Sequence, residues 1–352
     1  MKNITKTLLV LVSSLSISFA ALAGDVNLTG SAKASYTMNG TDSSNGKGVG
    51  VSNELKASAS GELDNGFTWS WHTELDPGAA GAVTQDDSQL VVGMGDLGTI
   101  GIFDGEGSLH SNLAWGIGAM GTGSDYAGTM TIAYGNDVDG EANIQYHTPA
   151  GLLPLGLQAK VGFQPNRGDA TGGNDYKSQG AVNPEALAGN TLTQYRVDAS
   201  PIDGLKIGAD YAKVDGSTAT AQEEESGAYY AQYSMGNVKV GYGKSLYAPG
   251  LSDKNTNATE YDTTSYGIEL AVNDAISISY SEEKSEKVIT NAIAATATTN
   301  TKTKVESEIT SIQAAYVIGG ATLGVALTET DNADYTDQKE ENVTVFSLAM
   351  AF

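Results

Sequence analysis

The chain has 352 residues, with 19 Lys and Arg against 42 Asp and Glu, 43 glycines, 17 tyrosines, seven prolines and no cysteine. A formal net charge of −23 excludes the basic footprint that nucleic-acid binding requires. The lack of cysteine excludes a disulfide framework and thiolate-held structural zinc.

The N-terminus reads as an export signal. Lys2 and Lys6 form a basic start, and Leu8 to Val12 with Leu15 to Leu22 form an apolar run. Ala21-Leu22-Ala23 is a small-residue cleavage site, with Gly24-Asp25 opening a polar chain. The run is short and serine-bearing, which disfavours a retained membrane helix. The expected division is a signal peptide, 1–23, and a single β-barrel domain, 24–352. Without Lys2 and Lys6 the mature chain carries 17 basic and 42 acidic side chains, a net charge of −25. No later apolar stretch of about 18 residues offers a membrane helix, so a membrane location would rest on β-strands.

Period-two alternation then recurs along the chain. Val26, Leu28, Gly30, Ala32, Ala34, Tyr36 and Met38 fall on one face of a first strand, opposite Asn27, Thr29, Ser31, Lys33, Ser35 and Thr37. The next strand sets Leu55, Ala57, Ala59 and Gly61 against Glu54, Lys56, Ser58 and Ser60. Asp64-Asn65-Gly66 is a hairpin turn, and Phe67, Trp69 and Trp71 share a face opposite Thr68, Ser70, His72 and Glu74. Continued in this way, short turns at 64–66, 95–98, 150–154, 201–204, 236–237, 273–274 and 319–320 alternate with long polar connections. The long ones are 39–50, 76–87, 105–139, 164–190, 215–226, 248–262, 287–304 and 331–341. Seven short and eight long connections join sixteen strands, an even count with one-sided loop lengths. Gly128 to Tyr134 has strand-like character and is placed inside the third long loop to keep that parity. The last strand ends with Phe346, Leu348, Met350 and Phe352 on one face. So apolar an edge suits a closed barrel facing lipid better than an open soluble sheet.

The fold class expected is all-β, a transmembrane antiparallel barrel of sixteen strands with short periplasmic turns and long extracellular loops. A soluble secreted β-sandwich adhesin is the contrasting reading, to be separated by detergent dependence. Lys33 and Lys56 sit mid-strand, where a lipid-facing lysine would cost about 2–4 kcal/mol, so the alternation places both in the lumen. Trp69, Trp71, Tyr36, Tyr195, Tyr211, Tyr266 and Tyr280 fall on the lipid faces as girdle residues. The lumen faces show no evident aromatic ladder, which disfavours a substrate-selective sugar channel. Gly30, Ala32, Ala34, Ala57, Ala59 and Gly61 make the outer face of strands 1 and 2 unusually small, as a subunit contact would be.

Enzyme and cofactor signals are weak. Two G-x-G-x-x-G strings, Gly93 to Gly98 and Gly116 to Gly121, open no helix of a βαβ unit. His72, His110 and His147 lack metal-ligand spacing, and no G-x-S-x-G elbow is present. No cofactor is expected. Asp137, Asp139 and Glu141 hint at Ca²⁺, but an EF-hand frame fails at Gly135 and Tyr146.

The chain resembles the Gram-negative general diffusion porins, which are trimeric sixteen-stranded barrels. The resemblance rests on Asp25-Val26-Asn27-Leu28-Thr29-Gly30, on Gly95-Asp96-Leu97-Gly98-Thr99-Ile100, on Asn143-Ile144-Gln145-Tyr146-His147-Thr148-Pro149, and on terminal Phe352. It implies an outer-membrane homotrimer among lipid and lipopolysaccharide, with Phe352 read by the barrel-insertion machinery. It implies passive passage of ions and small hydrophilic solutes. It also implies that loop 3, about 105–139, folds into the pore with acidic groups facing a basic wall. Glu106 and Asp125 would then face Lys33, Lys56, Lys160 and Arg196 at the constriction. Only two arginines exist, Arg167 and Arg196, so the family's arginine-rich wall is thinned here and a cation-selective pore is expected.

Overall fold

The computed structural model describes residues 26–352 except 42–43, 78–82, 112–114, 129, 131, 141, 168–189, 216–221, 251–256 and 292–300. Residues 1–25, and with them the cleavage site at Ala21, Ala23 and Gly24, lie outside the described residues, as does Glu141 of the Ca²⁺ triplet.

The strands are β1 (Asn27–Thr41), β2 (Ser44–Glu62), β3 (Thr68–Pro77), β4 (Val83–Gly93), β5 (Thr99–Asp104), β6 (Asn143–His147), β7 (Gln158–Arg167) and β8 (Asn190–Ala199). They continue as β9 (Leu205–Asp215), β10 (Glu224–Met235), β11 (Val238–Ala248), β12 (Asn257–Ala271), β13 (Ile276–Asn291), β14 (Thr301–Ile318), β15 (Ala321–Asp331) and β16 (Glu341–Ala351). Each pairs antiparallel with its chain neighbours, and β1 pairs with β16, so one sheet of sixteen strands closes into a barrel. Closure removes every sheet edge, the condition for a sheet to cross a membrane.

The joint is made by the chain ends. The Phe352 amide donates to the Gly30 carbonyl at 2.8 Å, and the Gly30 amide donates to the Phe352 carbonyl at 2.7 Å. The Phe352 ring lies over Gly30, where a Cβ would come within 2.7 Å of it. Gly61 is similarly covered by the Trp69 ring, also 2.7 Å from a hypothetical Cβ. Two of the six small outward residues are thus small for a reason internal to the subunit. Ala32, Ala34, Ala57 and Ala59 keep the outward face of β1 and β2 shallow.

Register fixes the two faces of the wall. Lys33 pairs with Ser52 and Ala349, and Lys56 with Thr29 and Glu74, so all four partners share the inward row. The outward row holds Tyr195, Ile268, Leu327 and Phe346, each between 46% and 54% exposed. Large apolar side chains left this open around a closed barrel need a hydrocarbon surround. The girdle tyrosines Tyr36, Tyr195, Tyr211, Tyr266 and Tyr280 are all on this outward surface.

Strand number and order agree with the alternation; strand ends do not. The expected loop 39–50 is mostly paired backbone, since β1 and β2 continue in register to Thr41 opposite Ser44. Likewise β12 and β13 remain paired to Asn257 opposite Asn291, inside the expected loops 248–262 and 287–304. Beyond the bilayer both faces meet water, so the backbone ladder persists while the apolar alternation that reveals it disappears. Among the described residues of 128–134 none is in a strand, and the segment belongs to loop 3.

Candidate pore constriction

β5 and β6 are the shortest strands, six and five residues. Loop 3 therefore leaves and rejoins the wall inside the barrel, between Asp104 and Asn143. Its first limb runs along the inner wall. Leu109 packs with Leu192 of β8 and with Ala212 and Val214 of β9. Trp115 and Ile117 pack with Tyr230 of β10 and are fully buried. Met120 receives Gln313 of β14 as acceptor for its amide at 2.8 Å. Tyr126 packs with Ala326 of β15 and with Val343 and Val345 of β16. The return limb carries Met130 and Ile132 past Ile309 of β14 and ends with Val138 against β8.

Small inward residues make room for this path. A Cβ on Gly241 would collide with the Trp115 carbonyl and lie 2.6 Å from Ile117. One on Gly267 would be 2.8 Å from Ile117 as well. Glycine lets the loop backbone approach the wall at Gly241 and the Ile117 side chain approach it at Gly267, which a side chain on the wall would prevent.

Buried acceptors on the wall then fix the loop. Asp210 of β9 accepts from the Ser111 amide at 2.6 Å and from its hydroxyl at 2.5 Å. Gln194 of β8 accepts from the Val138 amide at 2.9 Å. Glu283 of β13, fully buried, joins both limbs: it accepts from the Ser124 amide at 2.8 Å and from the Tyr134 hydroxyl. Burial and the Glu283 charge push the Tyr134 phenol well above its ordinary value, so it remains a donor. Loop 3 also staples itself. Asp137 accepts from the amides of Leu109 at 2.9 Å and His110 at 3.2 Å and from the Ser108 hydroxyl.

Loop 3 leaves one sector of wall open. Among the described residues, no inward side chain of β1–β4 is buried, whereas Gln194, Ser265, Ser281, Ser311 and Gln313 beneath the loop are 0–1% exposed. The water path therefore lies between loop 3 and the inner faces of β1–β4.

The expected constriction residues fall as follows. Lys33 reaches loop 3: its amine is 3.2 Å from the Tyr126 hydroxyl and 5.2 Å from the ring centroid. Asp125, the neighbour of Tyr126, is exposed to the lumen and accepts from the Thr122 amide and hydroxyl at 2.7 and 2.9 Å. Glu106 stands at the base of loop 3 with Oε1 2.6 Å from Nε2 of His72 on β3. Lys56 is bridged to Glu74 at 3.0 Å. Lys160 and Arg196 are away from that path, sharing Asp198 at 3.7 and 2.8 Å. Arg196 also donates to the His110 carbonyl at 3.0 Å, so it braces the first limb of loop 3.

The open wall holds carboxylates that the family pattern did not single out. Ligand oxygens of Glu54, Glu74 and Asp76 lie within 4.8 Å of one another, the arrangement among the described residues that could hold a metal ion. Lys56 on Glu74 competes with a cation there. Asp139, at the foot of the return limb, is half-buried; burial first, and the Asp137 charge second, raise its carboxyl to about 6. The lumen does hold one aromatic pair that the alternation did not single out. Tyr247 and Tyr261 occupy the inward row with centroids 5.9 Å apart, and Lys287 lies 5.7 Å over Tyr261. Their spacing across β11 and β12, 14 residues apart in sequence, hid the pair.

A closed barrel with a lipid-facing exterior, a polar interior and a loop held inside it is the architecture of a β-barrel of the Gram-negative outer membrane. Its fold is that of the sixteen-stranded porins. An anion-selective porin from Comamonas acidovorans superposes with a TM-score of 0.67 over 94% of this chain and 100% of its own, at 13% identity. OmpT, an outer-membrane protein of Vibrio cholerae, gives 0.64 over 95% and 100%, at 14% identity. Salmonella typhi OmpF, solved with daunomycin, gives 0.61 over 94% and 98%, at 12% identity. No family model matches the sequence, and no curated protein matches it. The likeness is thus one of fold.

Proposed function

We propose that the protein is a general diffusion porin: a homotrimeric, non-enzymatic pore that passes ions and small hydrophilic solutes and prefers cations. The observation that carries cation preference is the charge of the open wall. Glu54, Glu74 and Asp76 converge there; Lys56 and Glu74 cancel as an ion pair, which leaves Glu54 and Asp76 against Lys33. Exposed Asp125 adds a carboxylate across the path. Narrow, low-dielectric walls focus such fields, whereas charges at the mouth are screened over about 8 Å at physiological salt. Small outward residues on β1 and β2 support the trimer contact, and the Ala21-Leu22-Ala23 site supports export with cleavage after Ala23.

The test is the reversal potential of the purified protein in a planar bilayer under a KCl gradient. K⁺ preference is expected, weakened by Glu106→Gln/Asp125→Asn and more strongly by Glu54→Gln/Asp76→Asn. Anion preference in the parental protein would overturn the reading. Mass spectrometry of the mature protein should begin at Gly24.

A further inference from the structure

The inner wall changes character where it emerges from beneath loop 3. Ser245 of β11, Thr263 of β12 and Ser285 of β13 stand side by side in one inward row and are 0–2% exposed. One inward step nearer the long-loop end the row is Tyr247, Tyr261 and Lys287, and all three are half-buried. The return limb of loop 3 runs alongside: the Asn136 amide donates to the Ser226 hydroxyl at 2.9 Å, and Ser226 is the β10 neighbour of Tyr247. Exposed surface on an inward row that loop 3 no longer covers faces the outer vestibule. A solute entering from the long-loop end meets it before it reaches loop 3.

The row is built as a platform. The Tyr247 and Tyr261 rings have centroids 5.9 Å apart and lie within 19° of parallel. Lys287 holds its amine 5.7 Å over the Tyr261 ring and makes no salt bridge among the described residues. At the other end the Tyr247 hydroxyl donates to Glu224 of β10 at 3.3 Å. Tyr335, from the connection between β15 and β16, meets the Tyr261 ring edge-on at 5.3 Å and is anchored 2.8 Å from the Ser285 hydroxyl, which fixes the tilt of the ring. Gln222 ties the strand ends together. Its side-chain amide donates to the carbonyls of Pro249 at 2.7 Å and Thr259 at 2.9 Å, and its side-chain carbonyl accepts from the Thr259 amide at 3.2 Å. Pro249 and Thr259 each lie two residues from a tyrosine of the pair, so the platform stands on braced backbone.

We propose that this row is a saccharide subsite in the outer vestibule, taking a short neutral oligosaccharide. The proposal rests on the porin reading and adds to it a class of solute that is retained at the mouth. Sugar rings present C–H faces that pack on aromatic rings, and their hydroxyls both donate and accept. Tyr247 and Tyr261 supply the apolar faces, while Glu224 accepts and Lys287 donates, the few placed polar groups that orient a ligand. From β10 to β13 the row spans about 15 Å, so it suits a chain of rings rather than one. A uronate would meet Glu224 and an amino sugar would meet Lys287; a neutral sugar satisfies both. A platform open on one side holds its solute weakly enough to release it, as conduction requires.

The experiment records K⁺ current through the purified protein in a planar bilayer while maltotriose, or a poly(ethylene glycol) of the same hydrodynamic size, is added to either side in turn. Maltotriose should interrupt the current at concentrations at which the polymer does not. Tyr247→Ala/Tyr261→Ala should weaken the sugar affinity by about tenfold, the loss of two ring faces. Lys287→Met should weaken it by about fivefold, the loss of one hydrogen bond. Tyr261→Phe keeps the ring and should cost less than either. Equal interruption by sugar and polymer, or parental sugar affinity in a folded double variant, would overturn the proposal. If the double variant fails to give a folded barrel, Lys287→Met decides: parental affinity there overturns it too. A parental protein that forms no channels would overturn the porin reading itself, whereas open channels that maltotriose leaves uninterrupted would overturn this proposal alone.

Discussion

The carboxylates of loop 3 differ in environment, and that of Asp139 can be titrated. Asp125 is exposed and hydrogen-bonded by Thr122, whereas Asp139 is half-buried beside Asp137. With its carboxyl raised to about 6, Asp139 is ionised at pH 7 and protonated at pH 5. Lowering the pH through 6 removes one negative charge from the foot of loop 3. Cation preference should therefore weaken between pH 7 and pH 5, with a midpoint near 6, in reversal-potential measurements. Asp139→Asn should lower the preference at pH 7 and flatten that step; a step that survives the substitution belongs to another group. Glu283 acts differently, because its carboxylate ties Ser124 and Tyr134 together inside the wall. Glu283→Ala would leave the Ser124 amide and the Tyr134 hydroxyl without their acceptor. Each such buried orphan costs about 1–3 kcal/mol. Thermal unfolding in detergent should drop, and channel recordings should become noisier as loop 3 moves.

At the scale of the element, loop 3 is held by what the strands lack as much as by what they present. Gly241 and Gly267 leave space for Trp115 and Ile117 on the inner wall. Gly241→Val would force the Trp115 carbonyl away from β11, an overpacking worth about 1–3 kcal/mol. The expected outcome is a folded barrel with lower thermal stability and altered conductance, because the loop must move into the water path. A variant with parental conductance would mean that the loop absorbs the side chain locally. Much of this was open to reading from the alternation. The positions of Lys33, Lys56, Glu54 and Glu74 in the lumen follow from period two alone. The partner of Ser111 did not: Asp210 is 99 residues away and becomes its acceptor only through curvature of the closed sheet.

For the whole molecule, the outward surface decides assembly. Ala32, Ala34, Ala57 and Ala59 give β1 and β2 a shallow face, while β15 and β16 present Leu323, Leu327, Phe346 and Met350, each 46–48% exposed. Close helix or strand packing in a bilayer favours small residues, and lipid contact favours large ones. Cross-linking between Ala32→Cys and Ala57→Cys should capture dimers and trimers in mild detergent, and a monomer under those conditions would remove the β1–β2 contact.

Sequence by itself determined the export signal as an expectation, the barrel class, sixteen strands, the facing of the first three strands and the last, and loop 3 as the longest connection. These are local properties, set by a two-residue period and by turn chemistry that any ten-residue window displays. Tertiary structure alone decided that Glu106 faces His72, that Lys160 and Arg196 serve Asp198 and the first limb of loop 3, and that Glu54, Glu74 and Asp76 converge on the open wall. It also decided that Tyr335 reaches β12. The physical reason is closure: bending sixteen strands into a ring brings side chains together across the lumen at sequence separations that no local pattern encodes.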